Sequence, residues 1–239
     1  MALPIPPTPT YTLILPSTEK EVDYRPFLVK EEKLLLLALE SEDQKQITTA
    51  IKTVIESCLK TKNIKVQTLP TFDIEYLFLN IRSKSIGEEV EINLLCPDDG
   101  ETTVPVKINI DDIKVQKNPE HTKTIKIDED LMMEMRYPSL DQFIKNNFDF
   151  SGANVMDQSF DLIVDCIDKI YTSEEVYTQG DVSKEEFIQF LENLNSAQFK
   201  KIEQFFTTMP KLSHKIKIKN PNTNVESEVI LEGLSDFFG

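Results

Sequence analysis

The stretch LPTFDIEYLFLNIRSKSIGE, Leu69 to Glu88, decides how the rest of the chain is read. Ile74, Leu77, Phe78 and Ile81 recur at helical spacing and form one apolar stripe, while Phe72, Tyr76 and Leu79 form a second. Thr71 is placed to cap the helix, and Asp73 and Glu75 suit the positive end of its dipole. Arg82 and Lys84 suit the negative end, and Gly87 permits the exit. A helix with two apolar stripes needs cover on two sides. The stretch carries no reactive group, so its contribution is packing and assembly rather than chemistry.

Working back toward the N-terminus, a helix over about Asp43 to Lys60 supplies one such cover. Ile47, Ala50, Ile51, Val54, Ile55, Cys58 and Leu59 keep the 3.6-residue period, with Lys45, Thr49, Lys52 and Glu56 on the other face. Before it, Lys30 to Glu40 packs Leu34, Leu35, Leu36, Leu37 and Leu39 around most of a short helix, which predicts burial on several sides. Thr12 to Leu15 and Val22 to Arg25 flank a Pro-Ser-Thr turn and predict a small hairpin. Residues 1–10 hold Pro4, Pro6, Pro7 and Pro9 and read as an extended arm.

Working forward, the pattern changes period. Val90 to Leu94 and Val104 to Ile110 alternate as strands around the turn Pro97-Asp98-Asp99-Gly100, with Pro105 marking an edge strand or bulge. Thr124 to Ile127 and Leu131 to Tyr137 are further strand candidates. Ser139 caps a short helix through Asn147. Phe160, Ile163, Val164, Ile167, Ile170 and Tyr171 then repeat at helical spacing. Ser183 with Glu186 makes a capping box ahead of Phe187, Phe190, Leu191 and Leu194. Ser196 starts a helix carrying Phe199, Ile202 and Phe206, which Met209-Pro210 ends. Ile216 to Ile218 and Val229 to Leu231 form a closing hairpin around Asn220 to Asn224.

The expected class is α+β, with two helical units, each associated with a short antiparallel β-hairpin layer. The polar run Asn146 to Asn154 is the expected boundary. It divides the chain into the arm 1–10, an N-terminal α+β domain 11–150, and a C-terminal helical domain 151–239 with the closing hairpin and a Phe-Phe tail.

Composition narrows the function. The chain has 26 basic and 41 acidic residues, a net charge of −15, so nothing draws it to nucleic acid or to an anionic membrane. The basic surfaces of partner proteins are the natural counterpart. Cys58, Cys96 and Cys166 are far apart in apolar settings and read as free buried thiols of a reducing cytoplasm. The longest apolar run, Leu34 to Leu39, is far too short to span a bilayer. MALPIPPTPT has no basic region ahead of an apolar one, so no secretory signal is expected.

Reactive constellations are not evident. There is no glycine-rich phosphate loop among the 6 glycines. His121 and His214 both sit in polar stretches and read as solvated surface residues, with no base beside a Ser or Cys nucleophile. No C-x-x-C pair exists for zinc, and Cys96 stands alone in a hairpin that otherwise has the outline of a zinc ribbon. Acids abound, but no pair sits in a glycine-rich or aromatic sugar-binding setting. No cofactor and no metal are expected.

Two features point to partners. Asp157, Asp161, Asp165 and Asp168, spaced four, four and three apart, would share one helix face. That face is a docking strip for basic residues, a divalent-cation site, or simply a solvated surface. The chain end Gly233-Leu234-Ser235-Asp236-Phe237-Phe238-Gly239 carries adjacent phenylalanines that cost ~1.5–3 kcal/mol each if left in water. Leu234, Phe237 and Phe238 therefore dock on the protein's own core or in a partner's groove.

Tyr24 to Lys33 (YRPFLVKEEK) followed by the leucine run, and Leu69 to Leu79 (LPTFDIEYLFL), resemble the baseplate hub proteins of T-even-type contractile-tailed bacteriophages. The resemblance is specific over about Tyr11 to Lys117 and extends to the closing Gly-Leu-Ser-Asp-Phe-Phe; residues 123–211 carry much less of it. It implies a non-enzymatic subunit or assembly factor of the baseplate hub, with other phage tail and hub proteins as partners. A transient tail-assembly chaperone acting on the tape-measure protein is a second role compatible with it, and a tail-tip cell-wall hydrolase a third. The location implied is the host cytoplasm during assembly and the tail baseplate of the virion. The family motif has no catalytic residues to carry over. Arg25, Phe27, Lys30, Phe72, Asp73, Tyr76 and Phe78 are its matching positions here, as fold and interface determinants.

Overall fold

The computed structural model describes residues 6–144, 155–233 and 236. The chain opens with the expected hairpin, β1 (Tyr11–Ile14) against β2 (Glu21–Tyr24), with Tyr11 opposite Tyr24. Helices α1 (Val29–Glu40), α2 (Gln44–Cys58) and α3 (Thr71–Ile86) follow. Strands β3 (Glu89–Leu95) and β4 (Thr103–Asn109) pair antiparallel, with Pro105 opposite Asn93 in this two-stranded sheet. Pro105 thus sits on an edge, where its missing N–H is tolerated. A short strand β5 (Lys114–Gln116) comes next.

The segment from Leu69 is the axis of this part. Phe72, Ile74, Leu77, Phe78, Leu79 and Ile81 are all buried in α3, so both of its apolar stripes are covered. One cover is α2, and the other is a three-stranded sheet. Gly87 leaves the helix at φ 121°, a conformation that side-chain-bearing residues rarely adopt. The start of the helix differs from expectation. Pro70, not Thr71, occupies the capping position and offers no side-chain bond. The buried Asp73 carboxylate instead accepts the Ser17 amide at 3.0 Å and the Ser17 hydroxyl, which holds the β1–β2 turn against the helix.

The three-stranded sheet is built from distant parts of the chain. Strand β10 (Lys211–Lys219) pairs with β11 (Glu226–Glu232) on one side and with β5 on the other, Lys211 opposite Gln116. Leu212, Ile218 and Leu231 enter one buried cluster with Leu79, Val90, Ile92, Leu94, Ile108 and Ile113. The closing hairpin therefore belongs with the N-terminal part. The compact units are 1–116 with 211–239, and 117–210. This division differs from a cut near residue 150, because strand pairing between β5 and β10 overrides the linear order. The polar run expected as a linker, Asn146 to Asn154, lies outside the described residues.

The second unit is a four-stranded antiparallel meander with helices. Its strands are β6 (Thr124–Lys126), β7 (Met132–Met135), β8 (Ile167–Tyr171) and β9 (Val176–Thr178), paired in that order. Its helices are α4 (Leu140–Ile144), α5 (Val155–Cys166), α6 (Lys184–Glu192) and α7 (Ser196–Thr208). Ile125, Met133, Ile163, Ile167, Phe187, Ile202 and Phe205 make its core. The capping box of Ser183 and Glu186 is present, and Asn195 caps α7. The chain is α+β, each unit combining helices with antiparallel strands.

Candidate functional site

The acidic stripe does not hold as one helix face. α5 ends at Cys166, and Asp168 lies on β8. Ile167 and Ile170 are drawn into strand pairing with β7, which stops the helix one turn short of the expected register. Asp161 is held by Lys184 at 2.7 Å, and the Asp165 carbonyl accepts bonds from Arg136 and Gln142. The Asp157 side chain lies outside the described residues. So do Leu234, Phe237 and Phe238.

The histidines also depart from expectation. His121 is half-buried, not solvated. Its Nδ1 lies 2.9 Å from the Thr208 hydroxyl and its Nε2 3.1 Å from the Tyr137 hydroxyl, while its ring stacks on Tyr137 and lies 5.2 Å from Phe205. Burial, with help from the nearby Lys123 charge, holds its pKa below the usual 6.5. The group ties the start of the second unit to its end. Both ring nitrogens are occupied by hydroxyls, which is a structural arrangement.

All three thiols are buried and held in the protonated form at neutral pH. Burial pushes Cys58 up to about 11 and Cys166 up to about 12, and raises Cys96 as well. Among the described residues no three His, Cys, Asp or Glu side chains converge as a metal-binding group.

Two polar clusters organise the first unit. Arg25 pairs with Glu31 at 2.9 Å and also donates to the Ser57 and Pro26 carbonyls. Burial acts to raise the Glu31 carboxyl, but bonds from Arg25 and the Leu28 amide outweigh it and hold the group below its ordinary value. This fixes the start of α1 against the end of α2. The second cluster joins two hairpin tips. Asn220, 1% exposed, donates to both Asp98 oxygens at 3.1 Å and to Asp99 at 2.8 Å. The Thr223 hydroxyl and Asn220 keep Asp98 low; the Thr102 hydroxyl and the Thr102 and Glu101 amides keep Asp99 lower still.

What remains is surface, and one part of it is unusual. The leucine-rich helix α1 is not buried on several sides. It packs on α2, with only Glu31 and Ala38 buried. Val29 is 78% exposed, Leu36 54%, Leu37 55% and Leu39 49%. Leu28 and Leu34 are exposed too, and so is Ile86 at the end of α3. The Phe27 amide donates to Ser85, so the Leu28–Val29 entry to α1 lies beside that end. Contiguous apolar exposure of this kind marks interaction surfaces. The sequence carried the leucines plainly; what it lacked was the sign that they would stay exposed among the described residues.

No curated protein and no solved structure matches the chain. A protein family does, over residues 8–239, and its description is T4 bacteriophage base plate protein. The match runs through both units and includes the exposed helix, the hairpin clasp and the closing strands. The chain belongs to the T4 bacteriophage base plate protein family.

Proposed function

We infer that the protein is a subunit or assembly factor of the phage baseplate hub, working through contacts with other tail and baseplate proteins and carrying out no reaction of its own. The observation that carries this reading is the family match across residues 8–239, joined to a surface that exposes leucines where an isolated protein would bury them. The net charge of −15 adds a preference for basic partner surfaces. Leu234, Phe237 and Phe238 form a second contact by entering a partner groove, and Asp157, Asp161, Asp165 and Asp168 are contacts for basic side chains. The protein acts in the host cytoplasm during assembly and takes its place in the tail baseplate.

Deleting Ser235 to Gly239 tests the tail contact. Association with hub proteins is expected to weaken while far-UV circular dichroism stays unchanged; undiminished capture of those proteins would remove the tail from the interface. Mass spectrometry of purified virions tests residence in the particle. Its absence there, with presence in infected cells, would replace the subunit role by that of a transient chaperone, the tape-measure protein being one client to probe. A clearing band on a peptidoglycan zymogram would overturn the non-enzymatic reading.

A further inference from the structure

The exposed face of α1 carries an order that the proposed function does not use. At about 100° per residue, Val29, Lys33, Leu36, Leu37 and Glu40 fall within an arc of about 100°. Glu31 and Ala38, the buried positions, point the opposite way. Around the Leu36–Leu37 bond the helix carries a local two-fold pattern on this arc and at its flanks. Leu34 mirrors Leu39, and the cation Lys33 mirrors the anion Glu40. Within α1 the mirror repeats leucine at Leu36/Leu37 and Leu34/Leu39 and inverts the charge at Lys33/Glu40.

That pattern is what an antiparallel pair of identical helices requires. With a two-fold axis passing between Leu36 and Leu37, Leu36 of each copy meets Leu37 of the other. Lys33 of each then meets Glu40 of the other, giving two equivalent ion pairs that flank an apolar centre. A parallel pairing would place lysine on lysine and glutamate on glutamate. We propose that the α1 face Val29–Glu40 is a self-association surface, on which two copies of this chain pair antiparallel around Leu36 and Leu37.

The expected strength follows from size. A 12-residue helix is about 18 Å long, which puts the contact at the small end of specific interfaces, below about 1,200 Å² in total. The charge of −15 on each copy opposes association further. A dimer forming in the micromolar range is expected, on the order of 10 µM. The inference stands apart from the baseplate reading, since it concerns only this chain and its copy.

Sedimentation velocity of the full chain, from about 1 to about 200 µM to bracket the affinity expected of a small interface, reads the mass directly. Conversion from 27.5 kDa to twice that mass is expected. Leu37→Glu should abolish it with circular dichroism unchanged, because the position is already exposed. The decisive arm uses Lys33→Glu and Glu40→Lys. Each alone places like charges at both pairs and should weaken the dimer about tenfold or more. Mixed in equal amounts, they restore both pairs and should form a heterodimer as tight as the wild type. A wild-type chain that stays monomeric throughout overturns the proposal, whether or not another protein binds the face. So does a dimer indifferent to Leu37→Glu, or a mixture no tighter than its separate components.

Discussion

Asp73 shows how much one side chain can decide. It is fully buried, on the first turn of α3, and it receives both the amide and the hydroxyl of Ser17. Asp73→Asn keeps the shape but leaves those donors with a neutral, wrongly oriented partner. Unfolding in urea is expected to show a loss of roughly 2–4 kcal/mol, with proteolysis at the β1–β2 turn rising in step. His121 gives a test by pH. Its folded pKa lies below the ordinary 6.5, so the fold disfavours the added proton. Its contribution is complete above about pH 6.5 and is lost as pH falls through the depressed folded value. A lower melting temperature at pH 5.5 than at pH 7.5 is expected, and His121→Gln should reduce that difference. At this scale local rules read well at Ser183 with Glu186 and at Gly87, though not at Thr71. The sequence placed Asp73 correctly on the first turn of α3 but missed its burial against Ser17, and it misread His121, because the partners Ser17 and Thr208 lie 56 and 87 positions away, beyond the reach of any spacing rule.

Among the elements, the hairpin clasp makes the clearest commitment. Asn220 links the turn before β4 to the turn before β11 through Asp98 and Asp99. Asn220→Ala should cost about 1–3 kcal/mol and speed amide exchange through both turns. Asp98 and Asp99 titrate below the ordinary 3.8 in the folded chain. Their contribution is therefore present above that pH and lost below it, so the variant and wild type should converge in stability as pH falls beneath about 3.8. A simpler test is Ser183→Ala, which removes the cap of α6 and should cost about 1 kcal/mol in thermal or urea unfolding. Element types were legible where a period ran long, as in α2, α3 and the β3–β4 hairpin. The junction at Cys166–Ile167 was not. Ile167, Ile170 and Tyr171 satisfy helical spacing by coincidence, and five residues are too few to separate the two periods. Pairing of Ile170 with Met133 settled the matter in favour of a strand. For α1, periodicity identified the helix and could not reveal how many neighbours it had.

For the whole molecule, the arrangement is a unit inserted into another. Residues 117–210 leave from β5 and return at β10, where Gln116 and Lys211 are cross-strand partners. Replacing 117–210 by Asn-Gly should therefore leave the first unit able to close as a simple hairpin. A cooperative melt and native-like amide protection in α3 and β10 are expected; a molten chain would show that the first unit needs its insert. The sequence held no sign of this nesting, since the β5–β10 pairing is made by short stretches that look unremarkable alone. One consequence reaches into the cell. During synthesis the ribosome must complete the inserted unit before Leu212, Ile218 and Leu231 exist, a wait of about 5–20 s at ~5–20 residues per second. Throughout that interval the nascent outer half holds α3 half-uncovered, with an open strand edge.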